Sequence, residues 1–212
     1  MSFFVPRPAP TQFRVLTVCT GNICRSPLAE LHLRRGLDGL DGVSVASAGT
    51  MAVEGDRMPE QARSLARSFG LEPDAHRARF LTEGEVSGSG LVIALAREHR
   101  RSVVSLHPRA SRYTFTLREA ARLARDVSDD DLHRSAVGAG ASVPERLQAV
   151  VELLASRRGT VEAPDDPLDD DVVDPYRRSD EVFEESGRQL VPAADTLVGL
   201  LRRAATRGGD DR

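Results

Sequence analysis

Apolar runs alternate with amphipathic stretches along most of the chain. Four short runs rich in β-branched and other apolar residues predict buried strands at Phe13–Cys19, Val43–Ser47, Leu91–Leu95 and Tyr113–Leu117. Helical periodicity predicts helices from Ser26, over Pro59–Phe69, near Arg97–Leu106, over Val143–Ser156 and from Asp180 to about Ala205. Strands that alternate with helices favour a parallel sheet with right-handed crossovers and helices on both faces. The expected fold class is therefore α/β, a three-layer sandwich around a parallel sheet.

One stretch interrupts this alternation. Residues from about 126 to 171 contain two acidic clusters and a Gly-Ala-Gly turn around one predicted helix, which indicates an insertion or a lid. We expect it at the edge of a single domain that spans residues 13–205. Scattered prolines predict a flexible lead-in over residues 1–12, and residues 206–212 read as a flexible tail. Pro192 should kink the last helix.

Composition narrows the classes of protein that fit. The chain has 212 residues, 40% of them hydrophobic and 29% charged, with a net charge of −3, so no general attraction to nucleic acid or to a membrane surface is expected. No signal-peptide pattern and no apolar run of about 20 residues occurs, which predicts a cytoplasmic location. All 29 basic residues are arginines, and the absence of lysine excludes Schiff-base and phosphate-loop lysines.

The chain has two cysteines, Cys19 and Cys24, which are too few for a disulfide scaffold. The roles that remain for them are a chemical one or packing in the core. They bracket a loop, Cys-Thr-Gly-Asn-Ile-Cys-Arg, that follows a buried strand and leads into a helix. Ligands of parallel sheets bind beyond the carboxyl ends of the strands, where a helix N-terminus offers free N–H groups and a positive dipole. Ser26 is expected to cap that helix, with Pro27 at its first position.

The loop has the composition of an anion nest. Gly21 permits a left-handed backbone and Asn22 tolerates it, so successive N–H groups can turn inward. The guanidinium of Arg25 can grip two phosphate oxygens. A dianion would lie above the sulfur of Cys19, held by Thr20, Gly21, Asn22, Ile23, Cys24 and Arg25.

A thiolate at a helix N-terminus beside a cation is a strong nucleophile, and we interpret Cys19 as that nucleophile. The alternative is a cysteine packed at the end of a strand. For Cys24 two interpretations remain open: a packing residue, or a partner that traps oxidised Cys19 as a reversible disulfide.

Residues 18–27, Val-Cys-Thr-Gly-Asn-Ile-Cys-Arg-Ser-Pro, resemble the signature of the low-molecular-weight protein tyrosine phosphatase family. The resemblance covers roughly residues 13–125 and 172–205. It implies a flavodoxin-like sheet of four parallel strands and a phosphocysteine intermediate on Cys19. The implied substrate is a phosphotyrosine protein or another phosphomonoester, with no metal or other cofactor.

The family supplies a general acid from an Asp-Pro dipeptide in a late loop. The chain has two such dipeptides, at Asp166 and Asp174. Asp174 is followed by Tyr176 and a helix start, as in the family, so the resemblance implies that Asp174 is the general acid and later the general base. Tyr176 should form a wall of the substrate cleft. The acidic run of Asp166, Asp169, Asp170 and Asp171 is interpreted as a solvated loop.

Further family positions match residues that would support the loop: Asn22, Ser26, Ser47 and His76. The remaining histidines show no metal-ligand spacing and are interpreted as structural: His32, His99, His107 and His133. Met51-Ala52-Val53 stands where the family often has tryptophan, which predicts a wider and less ring-selective cleft. Gly90 and Ala96 replace family aspartates, a change expected to alter helix capping.

Two rival functions remain. An arsenate reductase of the same fold that uses an external thiol needs one cysteine, whereas the type with an internal relay needs cysteines after Cys24, and none occurs. A non-catalytic phosphate-binding module is disfavoured because Cys19, Arg25 and Asp174 are all present.

Overall fold

A four-stranded parallel sheet forms the centre of the molecule, in the strand order β2-β1-β3-β4. The computed structural model describes residues 11–137 and 142–206. Its strands are β1 (Phe13–Cys19), β2 (Val43–Gly49), β3 (Leu91–Ala94) and β4 (Thr114–Thr116). The predicted α/β class and the four parallel strands are thus confirmed.

The described helices pack on both faces of this sheet. They are α1 (Arg25–Gly36), α2 (Glu60–Ser68), α3 (Glu83–Ser87), α4 (Arg97–Leu106), α5 (Leu117–Arg125), α6 (Asp129–Val137), α7 (Val143–Arg157) and α8 (Asp180–Thr206). Short 3-10 turns cover Pro108–Arg112 and Pro167–Asp170. Most of the predicted lead-in, the Gly-Ala-Gly turn and nearly all of the predicted tail lie outside the described residues. No helix of the described part is long and apolar enough to cross a membrane.

The two central strands are buried on both faces, which explains why their sequences are continuously apolar. In β1, Val15 and Cys19 belong to the core on one face of the sheet, while Leu16 and Val18 belong to the core on the other. The chain runs from β1 to β2 on one side, and β3 and β4 lie on the other. The strand order therefore reverses at the carboxyl end of β1, a position at which open parallel sheets bind ligands. Cys19 ends β1 at this point.

The predicted cap of the first helix was wrong. Helix α1 begins at Arg25, and Cys24 precedes it without a side-chain cap. The Ser26 hydroxyl is instead engaged with Cys19 and Asn22, so it does not reach the N–H groups of the first turn. Those groups lack a protein side chain that caps them, as an anion site requires.

Helices α3 and α5 were not predicted, although each begins at a motif that is visible in the sequence. Thr116 and Glu119 form a capping box that ends β4 and starts α5, so the predicted strand to Leu117 was one residue too long. Thr82 and Glu85 form the same motif at α3. Both follow the Thr-x-x-Glu spacing that marks a helix N-terminus.

The stretch 126–171 contains two helices rather than the single predicted one, since α6 precedes α7. Its apolar side chains are buried in the larger core: Leu132, Leu147, Val150, Val151 and Leu154. None of its described residues lines the cavity above Cys19. The two helices of the stretch thus contribute to the core, whereas its status as an insertion or a lid stays a prediction. Helix α8 continues through Pro192, and the kink also stays a prediction.

Candidate active site

The sulfur of Cys19 lies at the base of a cavity of about 280 Å³ at the carboxyl end of β1. Cys19 is only 3% exposed, and its Sγ lies 2.9 Å from Ser26 Oγ. The cavity is lined by loop residues, by the segment after β2 and by the segment before α8: Cys19, Thr20, Gly21, Ile23, Cys24, Arg25, Met51, Val53, Asp56, Asp174 and Tyr176. All three predicted catalytic residues therefore meet at one cavity.

Asn22 holds the loop in its curled shape. Its φ of 54° makes it the left-handed residue, whereas Gly21 does not adopt a positive φ, so the prediction for Gly21 was wrong. Asn22 Oδ1 accepts a hydrogen bond from the Arg79 N–H at 2.8 Å, which orients the amide. Its Nδ2 then donates to Ser26 Oγ at 2.9 Å and to Ser47 Oγ at 2.8 Å. Ser26 Oγ accepts from Asn22, so its own proton can be donated either to Cys19 Sγ at 2.9 Å or to the Ala48 carbonyl at 3.4 Å. The shorter contact is suited to stabilise a thiolate at Cys19.

The predicted supporting residues continue into a buried network that contains Glu30, which sequence reasoning missed. Ser47 Oγ donates to the Glu30 carboxylate. His76 Nε2 donates to the Asn22 carbonyl at 2.7 Å, and its Nδ1 lies 3.8 Å from Glu30. Burial lowers the pKa of His76, which favours the neutral ring. The network thus fixes both the backbone and the side chain of Asn22.

Gly49 allows β2 to approach this loop closely. It pairs with Cys19 in the parallel register. A Cβ at this position would lie 2.5 Å from the Thr20 carbonyl oxygen and 2.8 Å from the Asn22 nitrogen, both backbone atoms that cannot yield easily. A side chain here would therefore displace the loop.

Arg25 is 4% exposed and is held by two groups. One terminal nitrogen lies 2.9 Å from Asp174 Oδ2, and the other donates to the Val172 carbonyl at 3.2 Å. Its Nε is buried and lacks a hydrogen-bond partner in the described part of the chain. A buried guanidinium with an unsatisfied donor is suited to bind an oxyanion oxygen.

Of the two Asp-Pro dipeptides, only that of Asp174 reaches the cavity. The Asp174 side chain is 52% exposed, and its Oδ1 accepts from the Tyr176 N–H at 3.2 Å. The carboxylate of Asp166 instead accepts from the Leu168 N–H at 2.8 Å and caps the 3-10 turn at Pro167. The geometry separates the two aspartates in the way the sequence predicts.

The second cysteine differs chemically from the first. Burial, together with the nearby Cys19 and Asp174, raises the pKa of Cys24 to about 12, and Arg25 offsets this only in part. Cys24 therefore stays a neutral thiol at ordinary pH. Both cysteines are free in the structure, so a disulfide between them stays a prediction.

The cavity walls combine apolar and acidic groups. Met51, Val53 and Tyr176 are exposed around the opening, and Tyr176 lies in the wall that the sequence predicts. The Arg177 guanidinium lies 5.1 Å from the centre of the Tyr176 ring. Asp56 also lines the cavity, and no motif in the sequence indicated it.

The interpretation of the acidic run as a solvated loop was wrong for two of its members. Asp170 forms an ion pair with Arg122 at 3.0 Å, and burial raises the pKa of its carboxyl. Asp171 Oδ1 accepts from the Arg97 N–H at 2.7 Å. Both contacts join segments far apart in the sequence, which charge patterning cannot reveal.

Comparisons with known proteins identify relatives of this chain. Residues 14–135 match the low molecular weight phosphotyrosine protein phosphatase family. A protein-arginine-phosphatase of Geobacillus stearothermophilus is 37% identical over 107 residues, which cover 50% of this chain and 70% of the relative. The probable low molecular weight protein-tyrosine-phosphatase EpsP of Ralstonia nicotianae is 36% identical over 115 residues, covering 54% and 76%.

A solved low molecular weight protein tyrosine phosphatase from T. tengcongensis has a similar fold, with a TM-score of 0.62 and 28% identity over 89% of this chain and 99% of that one. Asp174 lies beyond the residues of the family match. Its role therefore rests on its position in the cavity.

Proposed function

The chain belongs to the low molecular weight phosphotyrosine protein phosphatase family, and from this premise we propose that it hydrolyses phosphotyrosine in proteins through a phosphocysteine on Cys19. One observation carries the proposal: the Cys19 sulfur, the Arg25 guanidinium and the Asp174 carboxyl line the same cavity. The sulfur, the cation and the proton donor that phosphoryl transfer requires are thus together.

The first chemical step transfers the phosphoryl group from oxygen to sulfur. The substrate dianion accepts hydrogen bonds from the N–H groups of residues 20–25 and from the guanidinium of Arg25. It thereby displaces Asp174 from its ion pair with Arg25. Cys19 Sγ attacks phosphorus as the bond to the phenolic oxygen breaks, and protonated Asp174 gives that oxygen its proton.

The second step returns the enzyme to its starting state. Asp174, now ionised, takes a proton from a water molecule, whose oxygen attacks the phosphorus. The S–P bond breaks, and inorganic phosphate leaves. Ser26 Oγ, 2.9 Å from Cys19 Sγ, stabilises the departing thiolate by donating a hydrogen bond.

Apolar wall groups support an aryl substrate. Ile23, Met51, Val53 and Tyr176 surround the opening and can pack against a phenyl ring. The proposal is tested with phosphotyrosine peptides and 4-nitrophenyl phosphate, with thiol-dependent arsenate reduction assayed in parallel. Turnover of both phosphates without arsenate reduction supports it. Arsenate reduction without phosphate release would contradict it.

Phosphoarginine in proteins is a second candidate substrate, and Asp56 is the observation that favours it. A phosphorylated guanidinium carries positive charge next to the phosphoryl group. The carboxylate of Asp56 lies in the cavity wall in addition to Asp174, so the site offers a partner for that charge. A relative among the matched proteins is a protein-arginine-phosphatase.

Asp56→Asn separates the two substrates. If phosphoarginine is bound through Asp56, the variant loses about tenfold in kcat/KM on a phosphoarginine peptide, as expected for one charge-assisted hydrogen bond. On the matched phosphotyrosine peptide it should stay near the wild type, because a neutral ring has no charge for Asp56 to pair with. Asp41→Asn is the control, because Asp41 is exposed and lies just before β2, at the end of the strand away from the cavity. Equal effects of Asp56→Asn on both peptides would remove Asp56 as a specificity residue.

A further inference from the structure

We propose that Asp171 is a positioning residue that ties the acid-bearing segment, residues 171–174, to the first turn of α4. It thereby fixes Asp174 over the phosphate loop, residues 19–25. The inference rests on the proposed function, since it assigns Asp171 a task in placing the general acid.

Helix α4 has no cap of its own. Its N-cap position is Ala96, whose side chain cannot accept a hydrogen bond. Asp171 supplies the acceptor from a distant part of the chain, because its Oδ1 accepts from the Arg97 N–H at 2.7 Å and also lies 3.4 Å from Arg97 Nε. A carboxylate at a helix N-terminus is favoured by the dipole as well as by the hydrogen bond.

The same first turn of α4 contacts the phosphate loop. His99 is buried, and its Nε2 lies 2.9 Å from Thr20 Oγ1, immediately after Cys19. Residues 97 and 99 of one turn therefore hold the acid-bearing segment and the phosphate loop, respectively. Burial and the charge of Arg25 lower the pKa of His99 to about 3, so this bridge keeps one charge state across the ordinary pH range.

The chain after Asp171 has little freedom before it reaches Asp174. Val172 is 1% exposed, its N–H donates to the Leu95 carbonyl at 2.9 Å, and its own carbonyl accepts from Arg25. The Val173 N–H donates to Gln189 Oε1 at 2.9 Å. A shift of Asp171 would therefore also move the Asp174 carboxyl, because only two residues separate them. A displacement of about 1 Å is enough to weaken a proton transfer strongly.

The Asp171 backbone is held independently of its side chain. Its carbonyl accepts from Arg118 at 3.1 Å, and its N–H donates to the Leu168 carbonyl at 2.9 Å. Removal of the carboxylate therefore loosens the contact with α4 without releasing the whole segment. This makes the side chain testable by substitution.

The test compares kcat/KM for 4-nitrophenyl phosphate with that for phenyl phosphate. Phenolate is the more basic leaving group and therefore depends more on a proton donor. Asp171→Ala should lower kcat/KM about tenfold for phenyl phosphate and less than about twofold for 4-nitrophenyl phosphate. Asp171→Asn keeps an oxygen that can accept from Arg97, and it should recover most of the loss. Asp169→Ala, an exposed neighbour in the same run, is the control for charge.

A second control separates positioning from loss of a helix cap. Thr82→Ala removes the cap of α3, and it should lower the thermal midpoint without changing the ratio of the two substrates. An unchanged ratio in Asp171→Ala, or the same change in Thr82→Ala, overturns the inference while the proposed function stands. If the wild type does not release phosphate from either ester, the proposed function itself fails.

Discussion

Cys19→Ser is expected to abolish turnover, lowering kcat by about 10⁴-fold or more, because no side chain of the described residues is placed as a base to activate a serine hydroxyl at this position. Within the described residues, the side-chain hydrogen bond of the sulfur is with the Ser26 hydroxyl, which accepts from Asn22 and is too weakly basic to deprotonate a serine. Release of 4-nitrophenol under saturating substrate measures the effect.

Binding of inorganic phosphate should survive the Cys19→Ser substitution. The proposed phosphate-binding groups are the backbone N–H groups of residues 20–25 and the guanidinium of Arg25, and the change removes none of them. Calorimetric titration with inorganic phosphate should therefore give a dissociation constant within about fivefold of the wild type. Cys24→Ser is the matched comparison, because a thiol with a pKa of about 12 supplies no nucleophile, and its loss in kcat should stay below about tenfold. Substantial turnover by Cys19→Ser would remove this cysteine as the nucleophile.

Asp174→Ala is expected to have the second largest effect. A general acid contributes most where the leaving oxygen is most basic, so kcat/KM should fall about 10²-fold or more for phenyl phosphate and clearly less for 4-nitrophenyl phosphate. The exposed carboxyl lies on the cavity wall and is paired with Arg25, so a substrate phosphate that binds Arg25 can release it.

The chain provides a matched control in its other Asp-Pro dipeptide. Asp166→Ala removes the same group before the same residue, but Asp166 caps a 3-10 turn outside the cavity. It should leave the dependence on the leaving group at the wild-type value. An equal fall for both esters in Asp174→Ala would indicate that Asp174 acts through its ion pair with Arg25 and not as an acid.

The sequence predicts the features that depend on local patterns. Buried parallel strands are continuously apolar, and the seven residues 19–25 contain the proposed nucleophile, the arginine and the start of α1. Both features are therefore visible without a structure. The choice of Asp174 over Asp166 depends on neighbours in sequence, Tyr176 and the start of α8. Each of these signals needs only a short window.

The missed features depend on contacts between distant segments. His99 meets Thr20 and Asp171 meets Arg97 only after the sheet has formed, and Glu30 joins Ser47 across the interface between α1 and β2. Asp56 reaches the cavity through the path of a loop after β2, which no periodicity fixes. The loss of a capping side chain at Ala96 was expected from the sequence, but the sequence does not show that Asp171 lies beside the N-terminus of α4 and supplies the acceptor.

A crystal structure of the protein soaked in vanadate tests the central claim most directly. We expect the vanadium bonded to Cys19 Sγ, with its equatorial oxygens on the N–H groups of residues 20–25 and on the Arg25 guanidinium, and Asp174 beside the apical oxygen. Vanadate bound elsewhere, or held in the cavity without a bond to the Cys19 sulfur, would contradict the account.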